Sequence, residues 1–161
     1  MTVLVDTGVL VALIDPDTGE HRWAQDWAKR LPQPFQTSEP VLTEAAFVLA
    51  RDGFGADELF ALAERGVIKI GLRFEDERPA LRELMARYRD VPMSLADATL
   101  VRLAELHEES RVFTLDAHFH IYRRHRNKII PVLMPDDQTP GSHLAESPVR
   151  YRVRRRPAKG S

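Results

Sequence analysis

Short apolar runs alternate with segments of helical spacing along this chain, and that alternation narrows the available folds more than any other feature. Thr2–Val5, Phe35–Ser38, Val67–Ile70 and Val112–Leu115 each read as a strand. Predicted helices lie between them: Thr7–Ile14, His21–Leu31, one with Pro40 at its first position running to Arg51, Ala56–Glu64, Glu75–Tyr88 and Ser94–Glu108, the longest. Pro79 argues that the fifth of these starts late, and Gly66 stops the fourth. A short helix is expected over Ala117–Tyr122 and a fifth strand over Ile129–Leu133. Pro131 would make the latter an edge strand or no strand. Strands separated by helices pair in parallel. The expected fold is therefore α/β, a parallel sheet of about five strands covered by helices on both faces.

A chain of 161 residues can bury one real core, and neither an internal repeat nor a second-domain boundary is visible. Residues 1–135 form the expected domain, and 136–161 a basic extension. With no cysteine, disulfides and cysteine-held zinc are excluded, which fits a reducing cytoplasm. Val9–Ile14 is too short to span a membrane, and no basic segment precedes it, so neither membrane attachment nor a signal peptide is expected. Six of the 23 bases follow Pro148 with no acid among them, leaving 17 bases against 24 acids before that point, a charge of about −7. Val149–Arg154 alternates apolar and basic residues, as an added strand or a segment ordered by a partner would. RNA contact, docking on the acidic body and a purely solvated terminus are all open to this tail.

Four acids stand at matched places in the pattern. Asp6 closes the first strand, Asp116 closes the fourth, and Glu44 and Asp97 fall in the expected first turns of helices. Strand ends and the helix starts after them line one crevice in an open parallel sheet. Four carboxylates can thus meet although up to 110 positions separate them. Two carboxylates about 4 Å apart repel by roughly 4 kcal/mol at an effective dielectric near 20. A hard divalent cation relieves that, and oxygen ligands suit Mg²⁺ or Mn²⁺. Each acid also has a plainer explanation. Asp6 and Asp116 can cap the elements that follow, and Asp97 can close a capping box with Ser94. Caps explain Glu44 and Asp97 less well, because Asp97 shares a face with Val101 and Ala104, and Glu44 with Phe47 and Val48.

Other features compete less strongly. The basic run Arg123, Arg124, Arg126 and Lys128 follows Asp116 closely and could hold phosphates or form a solvated face. His118 and His120 would point apart on a helix, which argues against a shared metal. Trp23 and Trp27 read as core or dimer contacts, Asp15 and Asp17 as turn residues. His21 gives only a faint signal of lying near the site mouth.

Val3-Leu4-Val5-Asp6-Thr7-Gly8-Val9-Leu10 resembles the opening of PIN domains. Thr43-Glu44-Ala45, Ser94-Leu95-Ala96-Asp97-Ala98 and Thr114-Leu115-Asp116-Ala117-His118-Phe119 are similar to that family's later acidic motifs, in order and spacing, from Thr2 to about Leu133. Each motif alone is weak; four in order are specific. Size and style resemble the VapC-type toxins of toxin–antitoxin pairs. The resemblance implies a Mg²⁺- or Mn²⁺-dependent ribonuclease using one or two ions, with Asp6, Glu44, Asp97 and Asp116 as catalytic and metal-holding residues. Thr114, Thr7 and Ser94 would orient a carboxylate or a water. It also implies an RNA substrate, a homodimer and an antitoxin that covers the site. No motif of the family accounts for the arginine-rich tail. Two alternatives stay open: a non-catalytic PIN-like scaffold binding protein or RNA, and a housekeeping RNA-processing nuclease.

Overall fold

The computed structural model describes residues 1–135; the predicted extension over 136–161 lies outside the described residues. Strands β1 (Thr2–Val5), β2 (Phe35–Thr37), β3 (Ile68–Ile70), β4 (Ser110–Phe113) and β7 (Val132–Leu133) form a five-stranded parallel sheet in the order β3-β2-β1-β4-β7. Two further strands, β5 (Arg123–Arg124) and β6 (Lys128–Ile129), pair antiparallel as a separate hairpin. The sheet is flanked by α1 (Thr7–Ile14), α2 (His21–Arg30), α3 (Glu39–Arg51), α4 (Asp57–Glu64), α5 (Phe74–Arg87) and α6 (Leu95–Leu106). No helix among the described residues is long and apolar enough to cross a membrane.

The central strand β1 is apolar on both faces, and Val3, Leu4 and Val5 are all buried, as a parallel strand covered on both sides requires. Trp23 packs on Phe113, and Phe113 meets Phe35 edge-on, so the tryptophan read as core or dimer contact serves the core. The chain steps outward from β1 through β2 to β3, then returns to the other side of β1 at β4. That reversal puts the switch point between β1 and β4. Ligands of open parallel sheets bind at the carboxyl ends of strands at such a point.

Several predicted elements shift. Helix α5 begins at Phe74, not late, and carries Pro79 inside it. Proline removes the N–H that would bond the Glu75 carbonyl, and the Arg78 Nε donates to that carbonyl instead, at 3.1 Å. At 14 residues α5, not α6, is the longest helix. Strand β4 starts two residues earlier than its apolar run, because Thr2 pairs with Ser110 and Val3 with Arg111. The segment expected as one helix to Tyr122 is a single 3₁₀ turn, η1 (Ala117–His120). The single strand expected over Ile129–Leu133 divides at Ile130-Pro131. Its start belongs to the hairpin, and β7 is an edge strand of the main sheet, with the Pro131 carbonyl accepting from Val112 N–H at 2.9 Å.

Candidate metal and nuclease centre

Asp6 follows β1 and caps α1. Its Oδ1 accepts from the Thr7 N–H at 2.7 Å and its Oδ2 from the Thr114 hydroxyl at 2.6 Å. Asp116 follows β4 on the neighbouring strand and caps η1, while its own N–H donates to Thr114 Oγ1 at 2.9 Å. Thr114 thus ties the two strand ends together. Asp97 forms the capping box read from the sequence: its N–H donates to Ser94 Oγ, and its Oδ2 accepts from the Ser94 N–H, both at 3.0 Å. Glu44 Oε2 accepts from the Thr7 hydroxyl at 3.2 Å, so Thr7 serves two acids, one by its backbone and one by its side chain.

Glu44 departs from expectation in two ways. It lies in the second turn of α3 rather than the first. It is also half-buried on a face that is not the core face. Val41, Ala45 and Leu49 point inward, whereas Phe47 is 65% exposed. The acid is therefore at a rim, and burial among apolar neighbours is not what it needs to offset.

Helices α3 and α6, which carry Glu44 and Asp97, are joined by a buried hydroxyl chain. Thr99 donates to the Ala96 carbonyl at 2.6 Å, so its single proton is spent, and Ser38 Oγ must donate to Thr99 Oγ1, also at 2.6 Å. Ser38 in turn caps α3.

The electrostatics show that three of the acids act on one another and that the fourth acts on Asp97. Burial pushes the Asp6 carboxyl up to about 7 from 3.8, and the charges of Asp97 and Asp116 push the same way against the hydrogen bonds from Thr114 and Thr7. Asp97 is raised by burial first, then by the charges of Asp116 and Glu44. Caps alone leave this coupling unexplained. Asp6, Asp97 and Asp116 are all caps, yet Asp6 and Asp97 are also among the few buried acids of the described residues.

The donors fit a hard divalent cation in kind: four carboxylates, no sulfur, and a mutual repulsion that such an ion would remove. In arrangement they stop short of one. Among the described residues no three His, Asp or Glu side chains stand ready to hold an ion. The free lone pairs are distributed suggestively, however. On Asp97 both donors fall on Oδ2, and on Asp116 both His118 donors, N–H at 2.9 Å and Nδ1 at 2.7 Å, fall on Oδ1. One oxygen of each acid is thus held, and the other has no protein donor among the described residues.

Sequence reasoning missed two participants. Tyr122 donates its hydroxyl to Asp97 Oδ2 at 3.3 Å from 25 positions away. His118 pairs with Asp116 at 2.7 Å rather than sharing a ligand with His120. The Tyr122 contact leaves no local pattern in sequence, whereas Asp116 and His118 stand two positions apart, the spacing at which an aspartate side chain accepts from the backbone. His21, for its part, binds the Ala12 carbonyl through Nδ1 at 2.6 Å, and Asp15 accepts from the Asp17 N–H at 2.9 Å as a turn residue.

The basic run divides by role. Arg123 Nη1 donates to the carbonyls of His120, Ile121 and Tyr122, and Arg124 Nη1 to those of Ala104 and Glu108 at the end of α6. Arg126 pairs with Glu83 at 2.8 Å while staying largely exposed, and Lys128 is exposed.

No curated protein matches the chain by sequence. Among solved structures, it is similar to VapC20 of Mycobacterium tuberculosis, described as a sarcin-ricin loop cleaving toxin. The TM-score is 0.63 at 21% identity, over 71% of this chain and 90% of that one. At that identity the likeness speaks for the fold. A sequence model of the PIN domain matches residues 3–124 of the 161, and the chain belongs to the PIN domain family.

Proposed function

We propose that this protein is a metal-dependent endoribonuclease, the toxin of a type II toxin–antitoxin pair, with Asp6, Glu44, Asp97 and Asp116 as its metal-holding and catalytic residues. The observation that carries this reading is the coupling of four carboxylates at the switch point between β1 and β4, with Asp6 buried and raised to about 7. A group so destabilised as an anion needs a proton or a cation beside it. A bound Mg²⁺ or Mn²⁺, one ion or two, would polarise the scissile phosphate and acidify the attacking water.

The chain's own residues do the rest. Thr114 and Thr7 hold the Asp6 carboxylate by both oxygens, which fixes it against the sheet. Ser94 orients Asp97 from the N-cap of their own helix, and Thr7 orients Glu44 from α1. Arg126 and Lys128, exposed on the hairpin, are the bases of the run that would meet a backbone phosphate in this reading, whereas Arg123 and Arg124 bind carbonyls. The family and the toxin neighbour support a toxin that acts on RNA; a covering antitoxin, a homodimer and a cytoplasmic setting are what the VapC-type resemblance implies.

One observation favours the rival, a scaffold binding protein or RNA without catalysis. Three of the four acids satisfy helix ends, and no three form a ready cation site among the described residues. Mn²⁺ titration separates the two. A ligand that binds only the folded state stabilises it by about 2.7 kcal/mol at 100 times its dissociation constant. A nuclease centre therefore predicts a melting temperature that climbs with Mn²⁺, less so in Glu44→Gln. A scaffold predicts none. A housekeeping nuclease would behave alike in that assay, and differs in lacking a neighbouring reading frame for a small DNA-binding antitoxin.

A further inference from the structure

Tyr122 is fully buried, and its ring is fixed on three sides. Tyr88 and Phe119 meet it edge-on at 5.3 and 5.4 Å, and the His118 ring lies nearly parallel to it at 6.4 Å. A phenol held this way has a hydroxyl of fixed direction, and that hydroxyl points at Asp97 Oδ2. We propose, resting on the nuclease reading above, that Tyr122 is a positioning residue that presents Asp97 to the cation and, through the His118 ring, sets its spacing from Asp116.

Three observations bear on this. The Tyr122 hydroxyl and the Ser94 N–H converge on the same oxygen, so the other oxygen of Asp97 is left without a protein donor among the described residues. The ring that bears the hydroxyl also backs His118, whose N–H and Nδ1 together hold one oxygen of Asp116. One side chain thus holds one acid directly and touches the holder of another, and the two acids come from different elements, α6 and the end of β4. Finally, a carboxylate oxygen can only accept, so the Tyr122 hydroxyl is the donor in this contact. A buried hydroxyl without a partner is costly, and a phenylalanine would pack here at less expense if only the ring mattered.

The test uses the full chain as wild type, Tyr122→Phe and Tyr88→Phe. Tyr88 packs on the same ring, but its hydroxyl accepts from the Arg123 N–H at 2.8 Å and touches no acid. Mn²⁺ affinity is read from the paramagnetic resonance signal of free Mn²⁺, alongside melting without metal. Loss of an outer partner of a metal ligand weakens metal binding by about tenfold or more. Tyr122→Phe should therefore raise the Mn²⁺ dissociation constant about tenfold, while Tyr88→Phe keeps the wild-type value. RNA cleavage by Tyr122→Phe should recover as Mn²⁺ is raised to saturation. Wild-type affinity in Tyr122→Phe overturns the proposal and leaves the nuclease reading standing. Equal weakening in both variants assigns Tyr122 a merely structural role and also overturns it. Absence of Mn²⁺ binding in the wild type removes the nuclease reading and the proposal together.

Discussion

The Thr114 hydroxyl donates to Asp6 Oδ2 at 2.6 Å across 108 positions of sequence, and Thr114 Oγ1 itself accepts the N–H of Asp116 at 2.9 Å. One hydroxyl therefore joins the acid after β1 to the acid after β4. Valine matches threonine in shape but can neither donate nor accept. Thr114→Val strands a buried carboxylate oxygen and weakens the hold on Asp116. Leaving such groups unpaired costs about 1–3 kcal/mol. Urea unfolding should show a loss of that size without metal, and Mn²⁺ should bind more weakly. A variant as stable as wild type would show that the tie carries no energy.

Asp6 also makes the metal-free protein sensitive to pH. Its carboxyl titrates near 7 when folded and near 3.8 when exposed. Between these values the folded state keeps a proton that the unfolded chain has released. The folded state then binds more protons than the unfolded one, and stability falls as pH rises. The contribution is whole below about pH 4 and gone above about pH 7, and Asp97, raised in the same direction, adds to it. With a chelator present, the urea midpoint should drop between about pH 4 and about pH 7. Asp6→Asn should flatten that slope. An unchanged slope in the variant would remove Asp6 as its source.

The sheet and three of the four acid positions were legible because each rests on local pattern. β1 is an apolar run closed by an acid, and Ser94 stands three residues before Asp97 in a capping box that formed as read. Glu44 was legible as a candidate but not in its surroundings. Period alone grouped it with Phe47 and Val48, and only the packing of α3 shows that Val41, Ala45 and Leu49 are the buried stripe. The hairpin over Arg123–Ile129 was illegible for a specific reason. Its turn needs positive φ, and His125 and Arg126 supply it at 48° and 71° where glycine or asparagine would have announced it. Tyr122 and its bond to Asp97 depend on how η1 meets α6, which no spacing encodes.

The same hairpin gives a prediction that sorts its bases. Arg124 satisfies carbonyls at the end of α6, so Arg124→Ala should lower the melting temperature. Arg126 and Lys128 are exposed, so their alanine variants should leave melting nearly unchanged. If they meet RNA phosphates, each lost contact should reduce the salt dependence of binding to a catalytically silenced protein by about 0.7 in log–log slope on a single strand. Unaltered slopes in both would take the hairpin out of the RNA interface.

Asp97→Asn removes one charge from a repelling group while keeping shape and most hydrogen bonds. Without metal it should melt at or above the wild-type temperature, because the repulsion it relieves outweighs a weakened capping box. With Mn²⁺ it should gain less than the wild type. Calorimetry with and without the ion reads both. A variant that melts well below wild type in chelator would mean that Asp97 serves mainly as a cap.

Cleavage of total cellular RNA bears most directly on the central claim. Purified wild-type protein is incubated with Mg²⁺ or Mn²⁺, with EDTA, and as Asp6→Asn with either ion. The four-carboxylate account predicts cleavage only by the wild type and only with the divalent ion, with Asp6→Asn folded but inactive, because that variant removes a carboxylate that Asp97 and Asp116 act upon directly. Equal cleavage in EDTA, or wild-type rates from Asp6→Asn, would contradict it.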